Sequence, residues 1–259
     1  MKNKIKKTII IFALIFITLI GCAFGIVYVK YGIPAKELVN ATTKETFILS
    51  NAETIYDKNN NIIFERKQTY NTPYLKYEDI PEYVINAYIA VEDRTFLTNH
   101  GYSVKGILRS LFKWISDGEL TQGGSTITQQ LSRNIFLTHE VSAKRKIKEI
   151  FISKYLTNKY TKEEIMEFYV NDIYYSNGYY GIEAAANGYF DKTTNELSLS
   201  EIAYLCAIPN GPTYFDPRVN PQHTITRRNK ILHDMLSLGY ITNDEYQKAI
   251  VEIIEPNNK

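Results

Sequence analysis

From Thr8 to Val29 the chain runs for 22 residues without a charge. At helical rise that length is roughly 33 Å, enough to cross the hydrocarbon core of a bilayer. A chain that begins this way folds as two parts, a span in lipid and whatever the remaining residues make in water. Lys2, Lys4, Lys6 and Lys7 precede the run. Basic flanks stay on the cytoplasmic side, so residues 1–7 read as a cytoplasmic tail, 8–29 as a transmembrane helix, and everything after Lys30 as extracytoplasmic. A cleaved signal peptide is the competing reading, but its apolar region would be shorter and no A-x-A-like site follows. Leu19-Ile20-Gly21-Cys22 has the look of a lipoprotein processing box, yet the apolar run continues beyond Cys22.

The remaining length, in a chain of 259 residues with 44% hydrophobic and 22% charged side chains, supports one sizeable globular domain. The four anchor lysines set the sign of the whole-chain charge: without them 26 basic residues face 28 acidic ones. The outer part is therefore no bulk polyanion binder, which argues against nucleic acid as a partner. Cys22 falls in the span and Cys206 in the apolar run 203–208, so neither a disulfide framework nor a zinc spacing exists. Residues 30–79 read as a linker in which Thr54-Ile55-Tyr56 and Ile62-Ile63-Phe64 flank the polar turn 57–61 as a probable hairpin. From residue 80 to 259 helical signals dominate. Thr161-x-x-Glu164, Ser198-x-x-Glu201 and Thr242-x-x-Glu245 are capping boxes that open periodic apolar segments, while Asn177-Gly178 and Pro209-Asn210-Gly211-Pro212 mark loops.

The string Gly123-Gly124-Ser125-Thr126-Ile127-Thr128-Gln129-Gln130-Leu131-Ser132-Arg133-Asn134 is the densest in chemistry. Its glycine pair allows a tight turn, and Thr126-x-x-Gln129 caps a helix starting near Ser125. A helix N-terminus fed by glycines suits an anion such as phosphate, with Gln129, Gln130 and Arg133 supplying amides and a cation behind it. An ordinary capped helix has the same local signature.

Two carboxylate candidates accompany it. Glu92-Asp93-Arg94 stands at the exit of the apolar helix 84–91, where adjacent carboxylates disfavour ionising both, an arrangement that tunes a Glu toward general-base work. Glu149 shares a helix face with Arg145 one turn earlier, with Lys148 close by. From Lys105 to Glu149 eight basic residues oppose four acidic ones, a suitable setting for a pyrophosphate leaving group. Solvated or salt-bridged helix ends are the plain alternatives. Val104, Ile107, Leu108, Leu111, Phe112 and Ile115 form one face of a further helix, opposite Lys105, Arg109 and Lys113, which fits either a membrane-surface helix or a core-facing one.

Taken in order, Glu92-Asp93-Arg94-x-Phe96, the Gly-Gly-Ser-Thr-Ile-Thr-Gln-Gln string and Arg145-Lys146-x-x-Glu149 strongly resemble the family 51 peptidoglycan glycosyltransferases, with Glu92 and Glu149 57 positions apart. That family includes monofunctional transglycosylases and the N-terminal domains of class A penicillin-binding proteins. The resemblance continues through 164–171, 180–185, Tyr189-Phe190, 197–201, Pro209, Pro212, Tyr214, Pro217 and Arg227-Arg228, and spans roughly residues 80 to 240.

The resemblance implies a mainly α, lysozyme-like glycosyltransferase domain with a membrane-proximal jaw at about 104–115. It implies polymerisation of lipid II onto a growing glycan strand, β-1,4-linked and formed with inversion, with release of undecaprenyl pyrophosphate. Glu92 matches the general base and Glu149 the second acidic residue, which in the family often works with a divalent metal, Mg2+ or Mn2+; no organic cofactor is implied. Asp93, Phe96, Ser125, Thr126, Gln129, Gln130, Arg133, Arg145, Lys146 and Lys148 match substrate-binding positions. Membrane lipid and other cell-wall synthesis proteins are the implied partners, and the inhibitor moenomycin an implied ligand. Five positions depart from the family pattern: Asn99 replaces a His, Ser103 an Asp, Thr157 a Glu, and Ser176 and Asp191 replace loop glycines. Ser110-x-x-Lys113 is the only Ser-x-x-Lys, and no Lys-Thr-Gly follows it, so penicillin binding is not expected. A lysozyme-like hydrolase and a non-catalytic membrane scaffold remain the competing functions.

Overall fold

The computed structural model describes residues 2–48, 54–56, 62–65, 73–117, 124–138, 140 and 142–257. Helix α1 (Lys2–Val27) does not stop where the uncharged run ends. It passes through one π turn, Tyr28–Gly32, into α2 (Ile33–Ala41). Within it, Ile10–Ala41 is long and apolar enough to cross a membrane. Phe12, Phe16, Leu19 and Phe24 are all exposed, as expected for a helix whose apolar surface awaits lipid. Gly32 closes the turn because the ring of Tyr28 lies against it: a Cβ there would come 2.5 Å from Tyr28 Cδ2.

The stretch expected to be a linker belongs in good part to the globular body. Helix α2 buries Ala35 and Val39 against α7 (Ala143–Lys159), and Lys159 Nζ donates to the carbonyls of Val39 at 2.9 Å and Asn40 at 3.0 Å, closing the C-terminus of α2. Helix α3 (Lys44–Ile48) inserts Phe47, 2% exposed, flat against Phe168 at 4.1 Å and edge-on to Tyr160. These elements are too short to show an apolar period, so only their packing reveals them. Strands β1 (Thr54–Tyr56) and β2 (Ile62–Glu65) pair antiparallel, Ile55 opposite Phe64, while the expected turn at 57–61 lies outside the described residues.

The rest is helical, as expected. Helix α4 (Glu82–Val91) buries Val84, Ala87 and Tyr88, an i, i+3, i+4 set. Helices α5 (Val104–Asp117), α6 (Ile127–Phe136), α7, α8 (Lys162–Asp172) and α9 (Ile182–Phe190) follow. Next comes α10 (Leu199–Ala207), buried continuously from Ser200 to Ala207 and packed on α4 and on α11 (Pro221–Ser237), and then α12 (Asn243–Val251). All three expected capping boxes form, at the starts of α8, α10 and α12. At the loop between α8 and α9, Ser176 and Asn177 are left-handed, with φ of 67° and 51°. Asp216 holds that turn by accepting from Ser176 Oγ at 2.8 Å and Asn177 Nδ2 at 3.0 Å. A serine can thus stand where the resemblance had led to a glycine.

Candidate active site

Glu92 is the residue that ends α4, and a carboxylate at a helix C-terminus meets the negative end of the peptide dipoles. It therefore needs donors, and three side chains from elsewhere supply them. Gln130 Nε2 on α6 donates to Oε2 at 2.7 Å, while Asn210 Nδ2 and Arg227 Nη2 approach Oε1 at 3.4 and 3.5 Å. The side chain is 6% exposed and lines a cleft of about 550 Å³.

Asp93 plays a different part from the one its position suggested. Its Oδ1 accepts from the Thr95 N–H and hydroxyl, and its Oδ2 from Asn99 Nδ2 at 2.8 Å and the Ile127 N–H at 3.3 Å. It is the anion at the N-terminus of α6. The cap is complete around it: Thr126 Oγ1 accepts from the Gln129 N–H, and Gln129 Oε1 accepts from the Thr126 N–H. The helix N-terminus expected to receive a phosphate is thus filled by the protein's own carboxylate and cap. Thr126, 2% exposed, also donates to Gly101 O at 2.7 Å, and Phe96, 1% exposed, is core with Lys162 Nζ over its ring. Neither faces the cleft.

Glu149 on α7 is fully buried. Arg145 Nη1 donates to Oε2 at 2.6 Å; Gln129 Nε2, at 3.2 Å, and Lys146 Nζ donate to Oε1. Lys146 also reaches Ser125 Oγ at 2.6 Å. The second cation is Lys146 and not Lys148, because i and i+3 face each other on a helix whereas i and i+1 do not. Burial lowers the proton affinity of Lys146 below the ordinary lysine range, with Glu149 opposing the shift and Arg133 and Arg145 adding to it. Gln129 and Gln130, consecutive on α6, hold one glutamate each. Their amides, expected to face a sugar-phosphate, are buried and orient carboxylates, and Gln130 also lines the cleft.

The carboxylate proposed to take a divalent cation already accepts from three side chains, two of them positively charged. Among the described residues no group of three His, Cys, Asp or Glu is placed to hold a metal. This donor set does not fit Mg2+ or Mn2+, and the cations available to an anion are side chains. Arg133 and Arg109 line the cleft with Ser125. Gly124, at φ 94°, makes room for Arg109: a Cβ there would fall 2.0 Å from Arg109 Nη2. Also lining the cleft, Arg94 and Lys230 flank Asp234 at 3.1 and 2.5 Å.

The departures from the family pattern are accommodated locally. Asn99 bonds Asp93 and the Gly101 N–H and accepts from Lys162, and Ser103 Oγ accepts from the Gly106 N–H at the start of α5. Thr157 Oγ1, by contrast, is buried without a hydrogen-bond partner among the described residues. Sequence reasoning missed Asn210 and Arg227 as site residues, having marked the first only as part of a turn and the second only as part of an Arg pair. Nothing in local spacing ties either to Glu92.

Residues 59–236 match the family model described as Transglycosylase. The chain is 41% identical over 200 residues to penicillin-binding protein 1A of Pseudomonas aeruginosa, covering 77% of this chain and 24% of that one. It is 38% identical over 217 residues to penicillin-binding protein 4 of Bacillus subtilis, covering 83% and 35%, and 36% identical over 255 residues to penicillin-binding protein 1A of Vibrio cholerae, covering 98% and 30%. It spans between a quarter and about a third of the length of these relatives.

Proposed function

The chain belongs to the transglycosylase family, and from that premise we propose that it is a peptidoglycan glycosyltransferase. It joins lipid II units into a β-1,4-linked glycan strand and releases undecaprenyl pyrophosphate. The observation that carries this reading is the pair of glutamates, each oriented by one of two consecutive glutamines, Glu92 beside the cleft and Glu149 buried inside a cation cluster.

The division of labour follows from the geometry. Gln130 fixes Glu92 Oε2, and Oε1, with only the two long contacts among the described residues, is free to accept the proton of an acceptor hydroxyl. The hydroxyl oxygen bonds to the donor's anomeric carbon as that carbon's bond to the pyrophosphate breaks. The leaving charge is met by Arg133, Arg109 and Lys146 along the cleft and its inner wall. Glu149 serves by holding Arg145 and Lys146 in place. The N-terminal helix spans the membrane with residues 1–7 in the cytoplasm and the catalytic body outside, where α5 lies against the lipid surface.

Incubation with lipid II tests the reading. Polymer and undecaprenyl pyrophosphate support it, cleaved glycan would make the protein a hydrolase, and no turnover a scaffold. Glu92→Gln keeps shape but cannot take the proton, so turnover should fall on the order of 10² to 10⁴ with KM near that of the unmodified protein.

A further inference from the structure

The amide that steadies Glu92 can point either way unless something at its other end tells its oxygen from its nitrogen. With an ionised carboxylate on one side, Gln130 must present Nε2 to it, and its Oε1 then needs a donor. Tyr169 on α8 supplies one: its hydroxyl donates to Gln130 Oε1 at 3.1 Å, and the side chain is fully buried. On the basis of the proposed role of Glu92, we infer that Tyr169 is a positioning residue for the reaction, locking the Gln130 amide so that it donates to the base.

The setting suits a permanent donor. Burial pushes the Tyr169 phenol well above its ordinary range, with the Glu92 charge adding to the shift, so the hydroxyl keeps its proton at any working pH. Tyr88 packs edge-on against the Tyr169 ring at 5.1 Å, but its own hydroxyl pairs with Tyr175 and not with Gln130. The charged group on Glu92 is Arg227, on the opposite oxygen, and the nearby Cys206 thiol is kept protonated by burial, with the Glu92 charge adding to it. Without the Tyr169 hydroxyl, the Gln130 oxygen is left unpaired in the interior and the amide turns over in part of the population. It then sets a carbonyl oxygen against Glu92, which disfavours the ionised base.

Tyr169→Phe should lower kcat about three- to tenfold with KM unchanged, and should move the acid limb of the kcat/KM profile to higher pH. Tyr88→Phe, which removes a neighbouring buried hydroxyl, should do neither. Because Tyr169 acts through Gln130, Tyr169→Phe should have no further effect on kcat in a Gln130→Met background. Relative to Gln130→Met, the double variant removes only a hydroxyl that has already lost its acceptor, so it is informative even if Tyr169→Phe alone does not fold. A further drop in kcat in the double variant, an unmoved acid limb in a folded Tyr169→Phe, or an equal loss in Tyr88→Phe would each overturn the inference. Glu92→Gln separates this failure from that of the underlying reading: near-normal turnover there removes the base itself, whatever Tyr169 does.

Discussion

At the scale of single residues, the site engages both oxygens of Glu149 and one of Glu92 in close hydrogen bonds and leaves Glu92 Oε1 with long contacts. Lys146 is the member whose charge is least secure. Desolvation together with Arg133 and Arg145 costs its ammonium more than Glu149 returns, so folding weakens its hold on the proton and the charge is lost at a lower pH than on a solvated lysine. If the ammonium counters the departing pyrophosphate, turnover must fall on the alkaline side below the ordinary lysine range. Lys146→Arg, which stays charged, should remove that limb, and Glu149→Gln, which takes away the attraction, should move it to still lower pH. A pH profile of polymerisation reads both shifts; an alkaline limb that stays in place in both variants would rule out Lys146 as its origin.

Elements show where exposure and pattern agree. In α5, Val104, Leu108 and Phe112 recur every four residues and are 61%, 48% and 70% exposed, with Lys105 and Lys113 exposed beside them. The one-sided apolar stripe is real, and Val104, Leu108 and Phe112 on it are not buried by the protein. Gly106 and Ile107 turn inward, toward Gly124 and the cap of α6. A membrane-surface helix accounts for this better than a core-facing one. In a chain lacking residues 1–27, Leu108→Asp with Phe112→Asp should reduce binding to anionic vesicles by more than about 100-fold, given roughly 1.5–3 kcal/mol for each buried apolar side chain. Circular dichroism should not change. Retained binding by a folded double variant would show that these side chains do not enter lipid.

For the whole molecule, the anchor and the body are continuous: α1 runs into α2, α2 packs on α7, and Lys159 closes the end of α2. A chain starting at residue 28 keeps this docking and should polymerise lipid II in detergent at close to the intact rate. In vesicles it should lose on the order of 10² in efficiency because the permanent tether is gone and only the weaker, reversible contact through α5 remains. A chain starting at residue 44 also loses α2, uncovering its face on α7, and should melt at a clearly lower temperature in the same detergent. Equal melting temperatures for the two truncations would mean that α2 contributes nothing to the body.

The sequence by itself determined whatever depends on neighbours within one element. The uncharged run gave the apolar helix, three capping boxes placed α8, α10 and α12, Thr126 and Gln129 capped α6, and the order of motifs named the family. Tertiary structure decided who meets whom. Asp93 fills the N-terminus of α6 in place of a phosphate, and Gln130 finds Glu92 38 positions away while Asn210 reaches it from 118. Phe47, in an expected linker, stacks in the core. Helical spacing fixes contacts three or four residues apart, whereas these depend on how α4, α6, α7 and α11 pack. The identity of a residue restricts such partners by charge and shape but leaves many candidates, and only the packed arrangement selects among them.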